Sequence, residues 1–394
     1  MKKILKLFSS LRLTVTLLSL SMVVIFFGTL DQVEYGIHHT QKRYFESYFV
    51  IWQYPEQWIY SNILGFVAIP MPGGHLLGYL LLINLLTAHL SRFKLTAKKL
   101  GINVLHAGLI LLVISEFMTD YLAIESQMSV NEGGSSNYTF SITEKEMVLI
   151  DHSDPDSDTV YSVPSDQLKK DKSLNINGTP FQINTHEYYE NSKLSIAPPN
   201  APSMRIPITA GWGENMNLRV AEKDYDYSDN ASNISSAIVT IASGTQPLGT
   251  WVLSNIINNQ LPTQKFEHEG KEYSIALRFT RYYLPYKIEL IDFTHDKYPG
   301  TEIPRNFSSK IRVQNESQND EDREVLIYMN NPLRYEGLTF YQQSFDNDET
   351  TSIFQVVKNP SWWMPYLSVS MVGLGLLIQF LYHFTKFIKK SAKS

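Results

Sequence analysis

The stretch LGINVLHAGLILLVISEFM, residues 100–118, is long and apolar enough to cross a bilayer as a single helix. It nevertheless contains a histidine, His106. The ring nitrogens of a histidine need hydrogen-bond or metal partners, and hydrocarbon offers none. The stretch therefore predicts a membrane helix whose histidine faces other helices and belongs to a functional site.

Three further apolar runs of similar length lie outside this stretch, at Leu11–Leu30, about Pro72–Phe93 and Ser361–Phe384. The first follows a short basic segment but has no small-residue cleavage site, so we expect an anchor and not a signal peptide. We predict a membrane protein with four transmembrane α-helices. The predicted regions are 1–120, a three-helix region with an aromatic outer loop (helices about 11–30, 72–93 and 100–118); 121–360, a β-rich domain; and 361–394, the fourth helix with a basic tail.

The distribution of basic residues predicts the orientation of these helices, because short cytoplasmic loops carry an excess of lysine and arginine. Basic residues occur at the N-terminus, between the second and third runs, and after the fourth run: Lys2, Lys3, Lys6; Arg92, Lys94, Lys98, Lys99; Lys386, Lys389, Lys390, Lys393. Four crossings place all three groups on one side. We expect both termini in the cytoplasm and the segment 121–360 outside it, as in a multi-pass protein of a bacterial-type cytoplasmic membrane.

The segment 121–360 is polar and contains short stretches in which apolar and polar residues alternate, as in half-buried strands. These stretches are KEMVLID, KEYSIALRF, YKIELIDF, SSKIRVQN and EVLIYM. Asn-Gly at 177–178 and Glu-Gly at 269–270 and 336–337 indicate turns between them. We predict a mostly antiparallel β-sandwich or barrel, with NNPLRYEGLTFYQQSF forming a hairpin that closes the domain.

Composition excludes several classes of function. The chain has no cysteine, which excludes thiol–disulfide exchange, covalent attachment of haem through sulfur, and a cysteine nucleophile. The net charge is −5, and no basic cluster outside the membrane flanks suggests nucleic acid. The segment 121–360 contains no motif of a known catalytic constellation, and its histidines are well separated, so we expect structural roles for them.

Two other histidines share the predicted inner leaflet with His106. His106 lies about 10 Å inside the cytoplasmic boundary by helical rise, and His89 and His383 lie about 5 Å inside it. Near helix ends, His89 and His383 could simply reach headgroups or water. His106 is deeper and adjoins the small residues Ala107 and Gly108, which allow a helix or a ligand to approach closely. Because haem takes imidazole as an axial ligand, we expect His106 to bind haem iron, with His89 as the weaker candidate.

Four segments resemble the ResB proteins of cytochrome c biogenesis, also called CcsB. They are SLRLTVTLLSLSMVVIFFGTL, LHAGLILLVISEFMTDYLAIESQMSVNEG, IELIDFTHDKYPGTEIPRNFSSKIRV and REVLIYMNNPLRYEGLTFYQQSF. The pattern N-x-P-L-R-Y-x-G-x-T-F-Y-Q in the last of these is long and specific. Residues of about 150–260 contribute little to the resemblance.

The resemblance implies one half of the System II machinery, which transports haem b and attaches it to apocytochrome c outside the membrane. In that family a membrane histidine of the ResB half ligates haem together with a histidine of the partner, and His106 matches it by position. The partner, ResC or CcsA, carries a W-W-D segment. Here Trp362 and Trp363 precede Met364, so this chain looks like the ResB half, without activity alone but part of a haem lyase complex. The alternative is a membrane-anchored scaffold that binds apocytochrome or stabilises the partner without ligating haem.

Overall fold

The structure, a computed structural model, describes residues 2–56, 58–94, 96, 98–198, 205–226, 233–300, 304–315, 321–346 and 350–392. They form two compact units. The helical unit comprises Met1–Ala123 and Asn359–Ser394, and the β-unit comprises Ile124–Asp226 and Ser232–Lys358. The last basic residue of the predicted tail, Lys393, lies outside the described residues.

Helices dominate the helical unit, together with one small hairpin. Its elements are α1 (Lys2–Phe8), α2 (Leu11–Thr40), a π-helical turn (Gln41–Phe45), β1 (Phe49–Gln53), α3 (Ser61–Leu64), β2 (Ala68–Pro72), α4 (Gly74–Arg92), α5 (Leu100–Leu122) and α8 (Trp363–Ser391). Helices α2, α4, α5 and α8 are each long and apolar enough to cross a membrane. The chain is therefore a multi-pass membrane protein, as predicted.

The first membrane helix continues ten residues beyond its predicted end at Leu30, reaching Thr40 with a non-helical residue at Gly36. The predicted run ends directly before Asp31, a carboxylate that would be costly in an apolar environment. In the structure this carboxylate is buried but fully paired, which allows the helix to continue. Trp52, in the predicted aromatic outer loop, is likewise buried.

Helices α5 and α8 pack through small residues. A Cβ atom at Gly108 would lie 2.9 Å from the backbone oxygen of Ser368, and one at Gly375 would lie 2.6 Å from the backbone nitrogen of Leu105. Such distances leave no room for a side chain, so the two backbones are in direct contact. Of the two alternatives predicted for Gly108, close approach of a helix or of a ligand, the structure shows the approach of a helix.

The β-unit contains short helices and many strands. Its strands are β3 (Ile124–Asn131), β4 (Ser135–Asp151), β5 (Thr159–Pro164), β6 (Lys172–Asn175), β7 (Phe181–Tyr189), β8 (Ser192–Ile196), β9 (Leu218–Glu222), β10 (Ser236–Ser243), β11 (Gln246–Ser254), β12 (Gln264–His268), β13 (Lys271–Lys297), β14 (Pro304–Asn315), β15 (Glu321–Tyr328), β16 (Leu333–Tyr335), β17 (Leu338–Phe345) and β18 (Thr351–Lys358). Its helices are α6 (Gly211–Asn215) and α7 (Asn255–Gln260), with a 3-10 turn at Ser165–Gln167.

These strands form a ten-stranded sheet, a four-stranded sheet and the two-stranded ribbon β8–β9. Along the large sheet the order is β15-β14-β13-β4-β3-β18-β17-β16, with β12 on β13 and β5 on β4; the smaller sheet has the order β11-β10-β7-β6. The strand pairs are antiparallel. One core joins β4, β5 and β13 to the smaller sheet, and a second is formed within the large sheet. The predicted antiparallel class is therefore confirmed.

The predicted hairpin around Glu336 and Gly337 is also confirmed. Both residues have positive φ, 46° and 74°, and β16 pairs with β17 on either side of them. Two such residues form the type I′ turn that matches strand twist. The hairpin does not close the domain, however, because β18 follows and pairs with the first strand, β3.

Candidate functional site

The structure brings His89 and His106 together. His89 lies near the end of α4 and His106 near the start of α5, so the short connection between these helices places both at one end of the pair. Their ring centroids are 5.9 Å apart, with an angle of 43° between the ring planes. Both side chains are half-buried. Spacing in the sequence could not decide whether they meet.

A backbone hydrogen bond fixes the ring of His106. Its Nδ1 donates to the carbonyl oxygen of Ile102, one turn earlier in α5, at 2.8 Å. A neutral ring that donates from Nδ1 has its lone pair on Nε2, and this is how many metal-binding histidines are oriented. The hydrogen bond to Ile102 thus leaves Nε2 as the ring nitrogen that could bind a Lewis acid.

The opposite side of α5 is occupied. Gly101, Gly108 and Ser115 recur every seven residues and are buried, and the two glycines pack against α8. His106 lies five residues after Gly101, which turns it well away from this face at 3.6 residues per turn. Helix α8 thus packs against the glycine face of α5, while His106 is directed towards α4.

Two imidazoles would be enough protein ligands for a haem, whereas a metal held by protein alone would need more. Protein zinc sites use three or four protein ligands, and no group of three or more potential ligands occurs in the described part of the chain. A haem supplies the equatorial nitrogens itself and needs only axial ligands from protein. If the two rings held one metal ion from opposite sides, their bonded nitrogens would be about 4 Å apart, given metal–nitrogen bonds of about 2.0–2.1 Å. Rings with centroids 5.9 Å apart are compatible with that separation.

The part of α4 that carries His89 is hydrogen-bonded to the junction between α1 and α2. Phe8 is the last residue of α1, where backbone carbonyls lack partners within the helix. The side-chain amide of Asn84 in α4 donates to the Phe8 carbonyl at 2.6 Å, and the hydroxyl of Thr87 donates to it at 2.9 Å. These contacts fix the part of α4 that carries His89. The sequence analysis missed them, although an asparagine within an apolar helix is a recognisable signal.

The remaining membrane histidines have other partners. His383 lies on α8, is exposed, and has its Nε2 2.7 Å from the side-chain nitrogen of Gln379. His75 begins α4 at the opposite end from His89, and its Nε2 lies 3.2 Å from a carboxylate oxygen of Asp120. Neither is part of the His89–His106 pair.

The β-unit contains a Ser–His–Asp arrangement that the sequence analysis also missed. The Nε2 of His152 lies 2.7 Å from the hydroxyl of Ser274, and its Nδ1 lies 2.6 Å from Asp158. A nucleophile needs room for the acyl group that it attacks. Ser274 is only 2% exposed and lies near the start of β13, where this strand is paired with β12 on one side and β4 on the other. We therefore interpret these hydrogen bonds as a structural contact between the β4–β5 connection and β13.

Comparison with known proteins gives two matches. The sequence model of the ResB-like family matches residues 258–359, which run from α7 to the end of β18 and include the N-x-P-L-R-Y pattern. Protein NrfI of Wolinella succinogenes is 35% identical over 94 residues, which are 24% of this chain and 10% of that protein. The chain thus aligns with about a tenth of the length of that relative. The resemblance to ResB proteins is confirmed, while His89 and His106 lie outside the segment that the family model matches.

Proposed function

We propose, on the premise that this chain belongs with the ResB-like proteins, that it is a membrane subunit of cytochrome c biogenesis that holds haem b. The observation that carries the proposal is the facing pair His89 and His106, with the His106 ring oriented by its hydrogen bond to the Ile102 carbonyl. His106 would be the principal axial ligand. His89 would be the second donor or a neighbour that a partner's histidine replaces.

When bound, the haem would supply iron with open axial positions. The chain's own residues orient a lone pair and control access to it. Ile102 holds the His106 ring, α8 supports α5 through Gly101 and Gly108, and the Asn84 and Thr87 contacts hold α4. Because each support is a backbone or buried contact, the distance between the two rings changes little as the helices move.

The orientation is also part of the proposal. The basic residues at both termini and between α4 and α5 support a cytoplasmic location for these segments and an outer location for the β-unit. His89 and His106 would then lie in the inner leaflet of a bacterial-type cytoplasmic membrane, on the side where haem is made available. Transport of haem across the membrane would require a partner.

That partner would be a ResC or CcsA-type protein with a W-W-D segment, and the acceptor would be apocytochrome c. The family match over residues 258–359 supports this assignment. The chain would have no lyase activity alone and would act as part of a haem lyase complex. In the alternative function, the β-unit binds apocytochrome or stabilises the partner, and no residue of this chain ligates haem.

Haem content and absorbance of the purified full-length chain, alone and with its partner, distinguish these functions. Replacing His106 with alanine should lower the haem retained and shift the reduced spectrum, because an axial ligand is lost. Added imidazole should restore both in part by occupying the vacated position. His89→Ala should have a smaller effect, and the matched control His383→Ala, in a histidine of α8 outside the pair, should have none.

Unchanged haem content and spectrum in both His106→Ala and His89→Ala would contradict haem binding and favour the scaffold. A change in His89→Ala alone would assign the ligand to α4.

A further inference from the structure

A wide bulge interrupts the pairing of β13 with β4. Tyr283 pairs with Tyr138, and the next registered pair is Ile288 with Ser136. Four residues of β13, Leu284–Lys287, are thus opposite a single residue of β4. Pro285 within them cannot donate to a strand ladder, which favours such a bulge. Bulges of this kind often occur next to binding sites, since they redirect side chains out of the sheet.

The bulge forms one wall of a cavity of about 330 Å³ within the β-unit. That volume is at the lower end of the range for ligand pockets, which is roughly 300–1,000 Å³. Its other wall comes from the β16–β17 hairpin and from the ends of β3 and β18. Apolar and aromatic side chains form most of the lining: Ile124, Tyr282, Tyr283, Leu284, Pro285, Leu338.

One lining residue, Tyr286, has a hydrogen-bond donor without a partner among the described residues. Tyr286 is 3% exposed, and its hydroxyl is buried without a hydrogen-bond partner in the described part of the chain. Burial raises the pKa of this phenol, so it remains protonated at physiological pH. A buried hydroxyl without a partner is uncommon in folded proteins and calls for an explanation. An acceptor atom on a bound molecule would provide one.

A cation lies on the same cavity. Lys358 is exposed and has neither an ion pair nor a hydrogen bond to the side chain of any residue that the structure describes. It is the last residue of the β-unit and pairs with Ile124, the first. In the sequence, Ile124 closely follows the helix α5, and Lys358 closely precedes the helix α8. The cavity therefore combines an apolar wall, a neutral donor and a positive charge.

We propose that this cavity binds the carboxylate-bearing edge of an amphiphile, with the apolar body against the tyrosine-rich bulge and the carboxylate accepting hydrogen bonds from Tyr286 and Lys358. Two sources share this chemistry, a porphyrin with its propionates and a fatty acid from the bilayer. A cavity of this size holds an edge of a porphyrin and not the whole ring. If the ligand is a porphyrin, the inference rests on the proposed function and adds an outer binding site to it.

One lining residue has the opposite charge. Glu336, in the β16–β17 turn, is exposed and lines the cavity. Its carboxylate would repel a bound anion and limit affinity. Removing this charge should therefore strengthen binding, an effect that a purely structural role would not produce.

Metal-free protoporphyrin IX tests the proposal independently of iron ligation. It is titrated by fluorescence into the full-length chain carrying His89→Ala and His106→Ala, so that the proposed haem site in the membrane helices contributes less to the binding. Tyr286→Phe and Lys358→Gln should each weaken binding about tenfold, the effect of one charge-assisted hydrogen bond. Glu336→Gln should strengthen it. The control Lys287→Gln, an exposed lysine of the same bulge outside this cavity, should leave it unchanged.

The dimethyl ester of protoporphyrin IX and oleate identify the source. Binding of the acid but not the ester, with the expected pattern among the variants, supports the porphyrin. If oleate binds with this pattern among the variants and the porphyrin does not bind, the ligand is a fatty acid. The proposed function is then decided by the haem spectra of the His106 variants alone. Equal binding of acid and ester, or binding insensitive to both Tyr286→Phe and Lys358→Gln, overturns the proposal. If Tyr286→Phe does not fold, the exposed Lys358 decides the outcome.

Discussion

Asp31 is a buried carboxylate near the end of the first membrane-spanning segment. It is 3% exposed and accepts hydrogen bonds from the Tyr44 hydroxyl at 2.7 Å, the Trp52 indole at 3.0 Å and the Arg43 guanidinium at 3.2 Å. Burial, and then the hydrogen bond to Asp31, raise the pKa of Tyr44 far above its usual value. These contacts tie α2 to the β1–β2 hairpin.

Replacing Asp31 with alanine should destabilise the helical unit by about 3 kcal/mol, because the buried partners lose their acceptor. The partial exposure of Arg43 keeps the loss at the lower end of the range for broken buried pairs, about 3–5 kcal/mol. Unfolding of the purified chain in mixed micelles measures the change. Glu56→Ala, at an exposed carboxylate of the same outer segment, is the control. Equal stability of the two variants would show that the Asp31 contacts contribute little.

His106 could be singled out from the sequence, whereas its pairing could not. An imidazole in a run of apolar residues conflicts with its environment, and that conflict is visible without a structure. The approach of His89 depends on how α4 and α5 are rotated about their axes. That rotation is set by contacts distant in the chain, such as those of Asn84 with Phe8 and of Gly108 with α8.

Among the elements, the helices α5 and α8 pack with their backbones in close contact. Gly101 and Gly108 of α5 and Gly375 of α8 lie where a Cβ atom would meet backbone atoms of the other helix at under 3 Å. Helix association in membranes depends on van der Waals contact, so small residues allow it and large ones prevent it. The position of α5, and with it that of His106, follows from this contact.

Gly108→Ala should lower the stability of the helical unit by about 1–3 kcal/mol, the usual cost of overpacking. It should also weaken haem retention, because α5 must move away from α8. The matched control is Gly373→Ala on α8, where an added Cβ meets nothing within 4 Å. There alanine should stabilise the helix by up to about 1 kcal/mol. Thermal unfolding in detergent measures both, and equal shifts would contradict the packing argument.

Strand β13 shows a feature that local sequence patterns could not predict, namely whether two alternating segments form one strand or two. The alternation in KEYSIALRF and YKIELIDF predicted two strands, and the structure has one strand of 27 residues, Lys271–Lys297, that contains both. The interruption between the two patterns is the bulge at Leu284–Lys287 and not a turn. The individual strands could be predicted from alternation, but whether a break reverses the chain depends on the strands packed beside it.

The orientation of the entire chain can be tested with reporters at two points. A reporter inserted after Gly178, which has a φ of 84° in a turn between β6 and β7, should be active only outside the cytoplasm. A reporter fused at Ser391, where α8 ends, should be active only inside. Both expectations follow from the basic residues beside the membrane helices. Activity of both reporters in one compartment would contradict the proposed orientation.

The pairing of β3 with β18 has a consequence for biosynthesis. Ile124 pairs with Lys358, so the first strand of the β-unit waits for a partner made about 230 residues later. At roughly 5–20 residues per second, that delay is on the order of 10–50 s. Throughout it the nascent polypeptide exposes an unpaired edge to aggregation. Because α8 starts at Trp363, the last strand of the sheet and the final membrane helix are synthesised almost together. A pause in translation before β18 is made would therefore prolong the intermediate in which β3 lacks its partner strand.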